Sequence, residues 1–152
     1  MRRVLVVCTA NQCRSPMAEA LIRARAESEG SLDQLEVTSA GTWARDGVAA
    51  TDHARAVMAA RGLDISGHRS REVTQRILDE ADLVLVMTKD HRDALVAEFP
   101  HAKDKVRLIS GLAGGSYDIA DPIGGTLEDY QATAAELDRL VAAGWDTLLG
   151  AP

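Results

Sequence analysis

The sequence has few cysteines, few aromatic residues and no long apolar run. Its 152 residues include two Cys, one Phe, two Trp and two Tyr. Both cysteines lie in one short stretch, which implies no disulfide framework, and no apolar run approaches the roughly 20 residues of a membrane-spanning helix. The first three residues lead directly into a predicted strand, so we expect no secretory signal peptide. Together these absences favour a cytoplasmic protein.

An excess of positive charge is also missing. The formal net charge is −6, which argues against nucleic acid or a membrane surface as a partner, because both attract basic proteins. Hydrophobic residues make up 46% and charged residues 26% of the chain, as in ordinary globular proteins. We expect residues 1–152 to form a single domain with an aliphatic core.

One stretch near the start carries the chemistry. Residues 4–7 form an unbroken β-branched and aliphatic run, typical of a strand buried on both faces. A polar loop follows, and Ser15-Pro16 predicts a helix that starts there, with Ser15 as its N-cap. A strand, a tight loop and a helix N-terminus direct backbone N–H groups into one concavity, which predicts a phosphate or sulfate site.

Cys8 and Arg14 lie at the two ends of that loop, separated by five residues. A thiolate is a strong nucleophile, and a helix N-terminus and an arginine both favour it over the thiol. The guanidinium of Arg14 can hold two phosphoryl oxygens at once. Each residue alone has a plainer interpretation, a core thiol and a surface arginine. Their joint placement indicates phosphoryl transfer through a phosphocysteine intermediate.

Strands and helices alternate along the rest of the chain, which predicts an α/β fold with a parallel sheet covered on both faces. We expect strands at residues 3–7, 36–39, 83–87 and 106–109. Helices are expected at 15–29, from the Thr51-Asp52 cap to Gly62, at 74–78, from Thr88 to before Pro100, and from Thr126 onward.

The sequence from Cys8 to Glu19 resembles the active-site signature of the low-molecular-weight protein tyrosine phosphatases. The likeness extends over nearly the whole chain, through residues 38–43, Gly67-His68, residues 82–87 and Asp121-Pro122, in the family's order and spacing. The resemblance implies a four-stranded sheet of flavodoxin-like topology. It also implies that Asp121 is the general acid, which protonates the leaving group and later activates water. Asp118 is the other acid nearby and ranks behind it.

The resemblance also supplies supporting roles. Ser15 matches the serine that stabilises the nucleophilic thiolate, and Asn11 matches a loop asparagine in a left-handed turn, tied into a network by Ser39 and His68. Cys13 matches the second loop cysteine, which traps an oxidised nucleophile as a disulfide; a packed thiol is an equal alternative. The other residues assigned to the phosphate and substrate site are Thr9, Ala10, Gln12, Trp43 and Ile123.

Three of these positions bear on substrate and rate. Trp43 matches an aromatic that stacks on the substrate, although a core anchor is the alternative. Gln12 and Ile123 replace an aliphatic and an aromatic residue common in the family, which leaves room for phosphoarginine, a substrate of some bacterial relatives. Ala10 replaces a usual glycine, and its Cβ costs on the order of 1 kcal/mol if φ is positive there. We expect reduced activity at most.

The leading hypothesis is therefore a phosphotyrosine protein phosphatase, with a protein-arginine phosphatase as the alternative. An arsenate reductase is less favoured because no cysteine follows Cys13 to complete a redox relay. A phosphate-binding module with weakened catalysis is the third possibility. We expect a phosphorylated protein as substrate, inorganic phosphate as product, and neither a cofactor nor a metal, since no metal-ligand spacing occurs.

Overall fold

Strand β1 (Arg2–Cys8) lies in the middle of the sheet and carries the nucleophile at its end. The computed structural model describes residues 1–151. Alternate β1 side chains point to opposite faces: Val4, Val6 and Cys8 join one hydrophobic cluster, and Leu5 and Val7 join another. Both clusters exclude water, which is why this segment contains no polar residue between 4 and 7.

The sheet has four strands in the order β2 (Leu35–Gly41), β1, β3 (Leu83–Val86) and β4 (Val106–Leu108). All neighbouring pairs are parallel. This order and direction belong to the flavodoxin-like topology, so the predicted fold class is confirmed. Because the strands are parallel, the loops that follow them meet along one edge of the sheet.

Six α-helices within residues 1–151 cover the two faces. Their bounds are α1 (Arg14–Ser28), α2 (Asp52–Ala60), α3 (Gln75–Glu80), α4 (Lys89–Glu98), α5 (Leu127–Ala143) and α6 (Trp145–Leu148). Helices α1, α2, α5 and α6 contribute to the cluster on the Cys8 side of the sheet. Helices α3 and α4 bury Leu78 and Leu95 on the other side.

Threonine side chains cap four of these helices. Thr51, Thr74, Thr88 and Thr126 each accept a hydrogen bond from a backbone N–H in the first helical turn. The starts of α2 to α5 therefore agree with the sequence prediction to within one residue.

The predicted start of α1 is wrong. The helix begins at Arg14, its N-cap is Cys13, and no side chain caps it. Ser15 lies inside the first turn, where its hydroxyl is engaged with other side chains of the loop. Helix α6 and two 3₁₀ segments, Pro100–Lys105 and Ile109–Ala113, are not predicted from the sequence.

Candidate active site

The loop between β1 and α1 wraps around the buried side chain of Arg14, which is only 3% exposed. One terminal nitrogen, Nη1, donates to the Ile119 carbonyl at 2.8 Å. The other, Nη2, lies 3.3 Å from Asp121 Oδ2 and 3.4 Å from Thr9 Oγ1. The third nitrogen, Nε, is buried without a hydrogen-bonding partner in the protein. A buried donor left free in this way is suited to an anionic ligand, because leaving it unpaired is costly.

Cys8 ends β1 with its sulfur 2.9 Å from Ser15 Oγ. Asn11 Nδ2 donates to the same oxygen at 2.8 Å. Since Ser15 Oγ accepts that hydrogen bond, its own hydroxyl hydrogen can be donated to the Cys8 sulfur. A donor at this distance stabilises the thiolate form, which is the nucleophilic one.

Asn11 is fully buried and shapes the loop. It has a φ of 58°, the left-handed conformation that Asn tolerates better than most residues. Its side chain donates to Ser15 and, at 2.9 Å, to Ser39 Oγ, and accepts from the backbone N–H of Arg71 at 3.0 Å. His68 Nε2 lies 2.7 Å from its carbonyl oxygen. Every polar group of the Asn11 side chain is therefore satisfied.

Ser39 continues this network to helix α1. Its hydroxyl accepts from Asn11 and donates to Glu19 Oε1 at 2.6 Å. The structure thus brings together the three residues that the resemblance places in one network, Asn11, Ser39 and His68, and links Ser15 to them. Glu19 and the Arg71 backbone are members that the sequence analysis missed, because nothing local marks Glu19 as more than a solvated helix residue.

Ala10 carries none of the strain that a positive φ would impose. Asn11 is the single non-glycine residue with positive φ among residues 1–151. The Cβ of Ala10 therefore lies on an ordinary backbone, and the condition for its energetic cost is not met. The left-handed turn falls one residue later, where Asn accommodates it.

Asp121 lies over the guanidinium of Arg14. Its Oδ2 faces Arg14, and its Oδ1 accepts from the Ile123 backbone N–H at 3.1 Å and from the Cys13 thiol at 3.4 Å. The side chain is 36% exposed, so it borders both the anion site and solvent. Asp118 is held elsewhere, because it accepts from the backbone N–H of Lys89 at the start of α4.

Cys13 is a buried thiol pointing at the general-acid candidate. Burial, together with the nearby Cys8 and Asp121, raises its pKa to about 12. The proton therefore stays on sulfur at neutral pH, which agrees with Cys13 being the donor to Asp121. Both cysteines are free thiols in this structure.

Two apolar side chains at the rim are exposed to solvent, Trp43 at 83% and Ile123 at 52%. Trp43 is therefore not a core anchor. Its backbone N–H donates to the Thr9 carbonyl, which ties it to the phosphate loop. Gln12 is partly exposed, and its carbonyl accepts from the Thr51 N–H before helix α2.

His91 is a polar residue of the site that the sequence analysis missed. It is 6% exposed, and its Nε2 lies 2.8 Å from Thr9 Oγ1. In the sequence it follows Thr88 by three residues, at the position that completes a capping box in α4. That local signal predicts a helix start, and only the fold shows that the ring reaches the phosphate loop.

Within residues 1–151, no three side chains from His, Cys, Asp and Glu are grouped so that they could hold a metal ion. The same part of the chain contains no helix long and apolar enough to span a membrane.

Comparison with known proteins identifies the family of this site. The family model described as low molecular weight phosphotyrosine protein phosphatase matches residues 3–148. This chain belongs to that family. The match covers the loop from Cys8 to Arg14 and the Asp121 loop together.

Three relatives are particularly similar. A protein-arginine-phosphatase of Geobacillus stearothermophilus is 43% identical over 143 residues, which cover 91% of this chain and 90% of that protein. The crystal structure of a low molecular weight protein tyrosine phosphatase from T. tengcongensis has a TM-score of 0.92 and 39% identity, and covers 97% of this chain and 99% of that one. A cysteine-to-serine mutant of YwlE arginine phosphatase, with a phosphorylated active-site serine, has a TM-score of 0.89 and 36% identity, with 95% of each chain covered.

Proposed function

We propose that this protein hydrolyses phosphotyrosine in phosphorylated proteins, through a phosphocysteine intermediate on Cys8. The observation that carries the proposal is the arrangement around one concavity: the Cys8 sulfur beside a hydroxyl donor, the unpaired Nε of buried Arg14, and the Asp121 carboxylate above them. The phosphorylated active-site serine in the YwlE mutant supports a phosphoenzyme intermediate in this family.

In the first step the Cys8 thiolate attacks phosphorus. A sulfur–phosphorus bond forms while the bond from phosphorus to the tyrosine oxygen breaks, and Asp121 donates a proton to that leaving oxygen. Arg14 stabilises the phosphoryl oxygens as charge moves onto them. The Ser15 hydroxyl stabilises the thiolate before attack, when the negative charge is on sulfur.

In the second step water attacks the phosphocysteine. Asp121, now a carboxylate, removes a proton from the water, a new oxygen–phosphorus bond forms, and the sulfur–phosphorus bond breaks. Inorganic phosphate leaves, the Cys8 thiolate is regenerated, and Asp121 is again protonated. The exposure of Asp121 matters here, because the water reaches phosphorus from the solvent side of the site.

Phosphoarginine is the second candidate substrate, and two observations favour it. One of the most similar relatives is named a protein-arginine-phosphatase, and the exposed apolar side chains assigned to the substrate site are one aromatic, Trp43, and one aliphatic, Ile123. A phosphotyrosine ring would be stacked on one side only. A guanidinium group, by contrast, is attracted by the partly exposed Asp121 carboxylate.

The experiment that tests both candidates is steady-state release of phosphate from one peptide carrying phosphotyrosine and a matched peptide carrying phosphoarginine. We expect the phosphotyrosine peptide to be hydrolysed with the larger kcat/KM. A larger value for phosphoarginine replaces the first candidate by the second. Cys8→Ser is the control and should be inactive with both; turnover by that variant contradicts the cysteine mechanism, and an inactive wild type favours a phosphate-binding module.

We also propose a cytoplasmic location. Cys8 must be a reduced thiol to act, and reducing compartments keep such thiols reduced.

A further inference from the structure

Both ring nitrogens of His91 are engaged, and their partners define where its proton lies. Nδ1 is 3.2 Å from the backbone nitrogen of Thr88. A backbone N–H can only donate, so Nδ1 is the acceptor and carries no hydrogen. In the neutral ring the proton is therefore on Nε2, and Nε2 donates it to Thr9 Oγ1 over 2.8 Å.

The surroundings of His91 keep the ring neutral. Burial is the main cause, and the positive charge of Arg14 adds to it, so that the pKa of His91 falls to about 4. The carboxylates of Asp90, Asp118 and Asp121 act in the opposite direction and are outweighed. Near neutral pH the ring is a fixed single donor toward Thr9.

Thr9 Oγ1 accepts two hydrogen bonds at once. One comes from His91 Nε2 and the other, at 3.4 Å, from Arg14 Nη2. A hydroxyl has two acceptor positions and one hydrogen. Both acceptor positions are occupied, so only the hydrogen is available for a further hydrogen bond. Thr9 is partly exposed and lies between Cys8 and Arg14 in the phosphate loop, where that hydrogen can reach a bound phosphoryl group.

We propose that His91 is a positioning residue, which acts through Thr9 by turning the Thr9 hydroxyl into a donor for a phosphoryl oxygen. His91 itself does not touch the substrate. The inference rests on the proposed phosphate site. In that site the Thr9 hydroxyl is a third kind of donor to the phosphoryl oxygens, beside the guanidinium of Arg14 and the backbone N–H groups of the loop.

His91 also serves as an N-terminal cap, and the chain itself shows how to separate the two roles. In the capping box of α5 the short side chain of Asp129 accepts from the Thr126 backbone N–H at 2.9 Å. An asparagine at position 91 can accept from Thr88 in the same way, but it is too short to reach Thr9. His91→Asn therefore removes the bond to Thr9 and retains the cap.

The test compares wild type, His91→Asn, Thr9→Val and the double variant. The measured quantities are kcat and KM for an aryl phosphate and the Kd for inorganic phosphate by calorimetry. We expect each single variant to lose about fivefold in kcat/KM and in phosphate affinity, the effect of one neutral hydrogen bond of about 1 kcal/mol. The double variant should be no worse than Thr9→Val alone, since His91 acts only through the Thr9 hydroxyl.

Losses that multiply, to about 25-fold in the double variant, would overturn the proposal, as would a His91→Asn protein with wild-type kinetics. Thr9→Ser is the matched control because it retains the hydroxyl. In that variant, His91→Asn should still lower kcat/KM and the affinity for phosphate. Nitrogen-15 NMR of the imidazole should show the Nε2–H form in the wild type, and the Nδ1–H form would contradict the geometry. If the wild type hydrolyses no phosphoester, the proposed function fails, whereas the phosphate Kd values still decide this inference.

Discussion

Asp121 is the residue whose role can be tested most directly at the scale of a single side chain. Asparagine fills the same space but cannot supply a proton, so Asp121→Asn should slow hydrolysis most when the leaving group is basic. General acid catalysis contributes typically about 10²- to 10⁴-fold. We expect a loss in that range for phosphotyrosine and a much smaller one for p-nitrophenyl phosphate, measured as kcat.

The control is the same pair of substrates with the wild-type enzyme. Equal losses on the two substrates would show that Asp121 is not the proton donor. Asp118→Asn is the matched variant, because Asp118 accepts from Lys89 rather than facing Arg14, and it should show no dependence on the leaving group.

Cys13 gives a second prediction at this scale. Burial holds its pKa at about 12, so the reactive thiolate is scarce at neutral pH and increases about tenfold for each pH unit. In a Cys8→Ser background, carboxymethylation of Cys13 by iodoacetate should therefore accelerate from pH 7 to pH 10 without a plateau. The rate is followed by intact mass.

A plateau near pH 8 would show an ordinary thiol pKa and contradict the effect of burial. The Cys8–Cys13 disulfide remains a prediction. If it forms, the Cys13 thiol must first lose its hydrogen bond to Asp121, and the same pH dependence should govern its rate of closure.

At the scale of elements, the end of β2 is packed directly against the phosphate loop. A Cβ at Gly41 would lie 2.4 Å from the Thr9 carbonyl oxygen and 3.1 Å from the Asn11 nitrogen, both of them backbone atoms. Gly41→Ala must therefore displace the loop. We expect it to destabilise the fold by about 1–3 kcal/mol and to lower kcat, because Cys8 and Arg14 move with the loop.

Chemical denaturation and kinetics measure the two effects. Gly111→Ala is the matched control, since nothing lies within 4 Å of the added Cβ, and it should stay within about 0.5 kcal/mol of the wild type. A Gly41→Ala protein with wild-type stability and kcat would show that the loop moves without loss, and would contradict this prediction.

Elements and catalytic residues could be predicted from the sequence to different extents. The β1 run, the threonine caps and the Cys8–Arg14 spacing are local signals, and hydrophobic periodicity placed every strand and helices α1 to α5 to within a few residues. The four-residue helix α6 is too short to produce such periodicity. Ser15 was misplaced as a cap because serine favours both roles, and only its partners Cys8 and Asn11 decide between them.

Contacts between distant segments could not be predicted in this way. His91 and Thr9 are 82 positions apart, and Arg14 reaches Ile119 across the loop that carries Asp121. Such pairs depend on the order of the parallel strands in the sheet, and no local sequence pattern specifies that order. The network around Asn11 could be predicted only through the resemblance to a known family.

The protein as a whole is acidic, with a net charge of −6, yet its proposed substrate is an anion. Binding of phosphate to the folded state alone should stabilise it by about 2.7 kcal/mol at a concentration 100 times Kd. We therefore expect inorganic phosphate to raise the Tm, measured by calorimetry against sodium chloride at equal ionic strength.

Arg14→Gln tests whether this stabilisation is specific to the site, because it removes the buried charge and leaves a shorter, uncharged polar side chain. Its Tm should not respond to phosphate. An equal response in Arg14→Gln and wild type would show that phosphate acts on the protein as a general salt.

The bond from Arg14 to the Ile119 carbonyl has a further consequence. Together with the contacts of Asp118 with Lys89 and of Ile119 with Met87, it ties the loop of the proposed general acid to the loop of the proposed nucleophile and to the start of α4. Enzymes that close a lid must push solvent aside during each turnover. Because the two loops are already hydrogen-bonded to each other, we expect solvent viscosity to leave the rates of the proposed chemical steps unchanged.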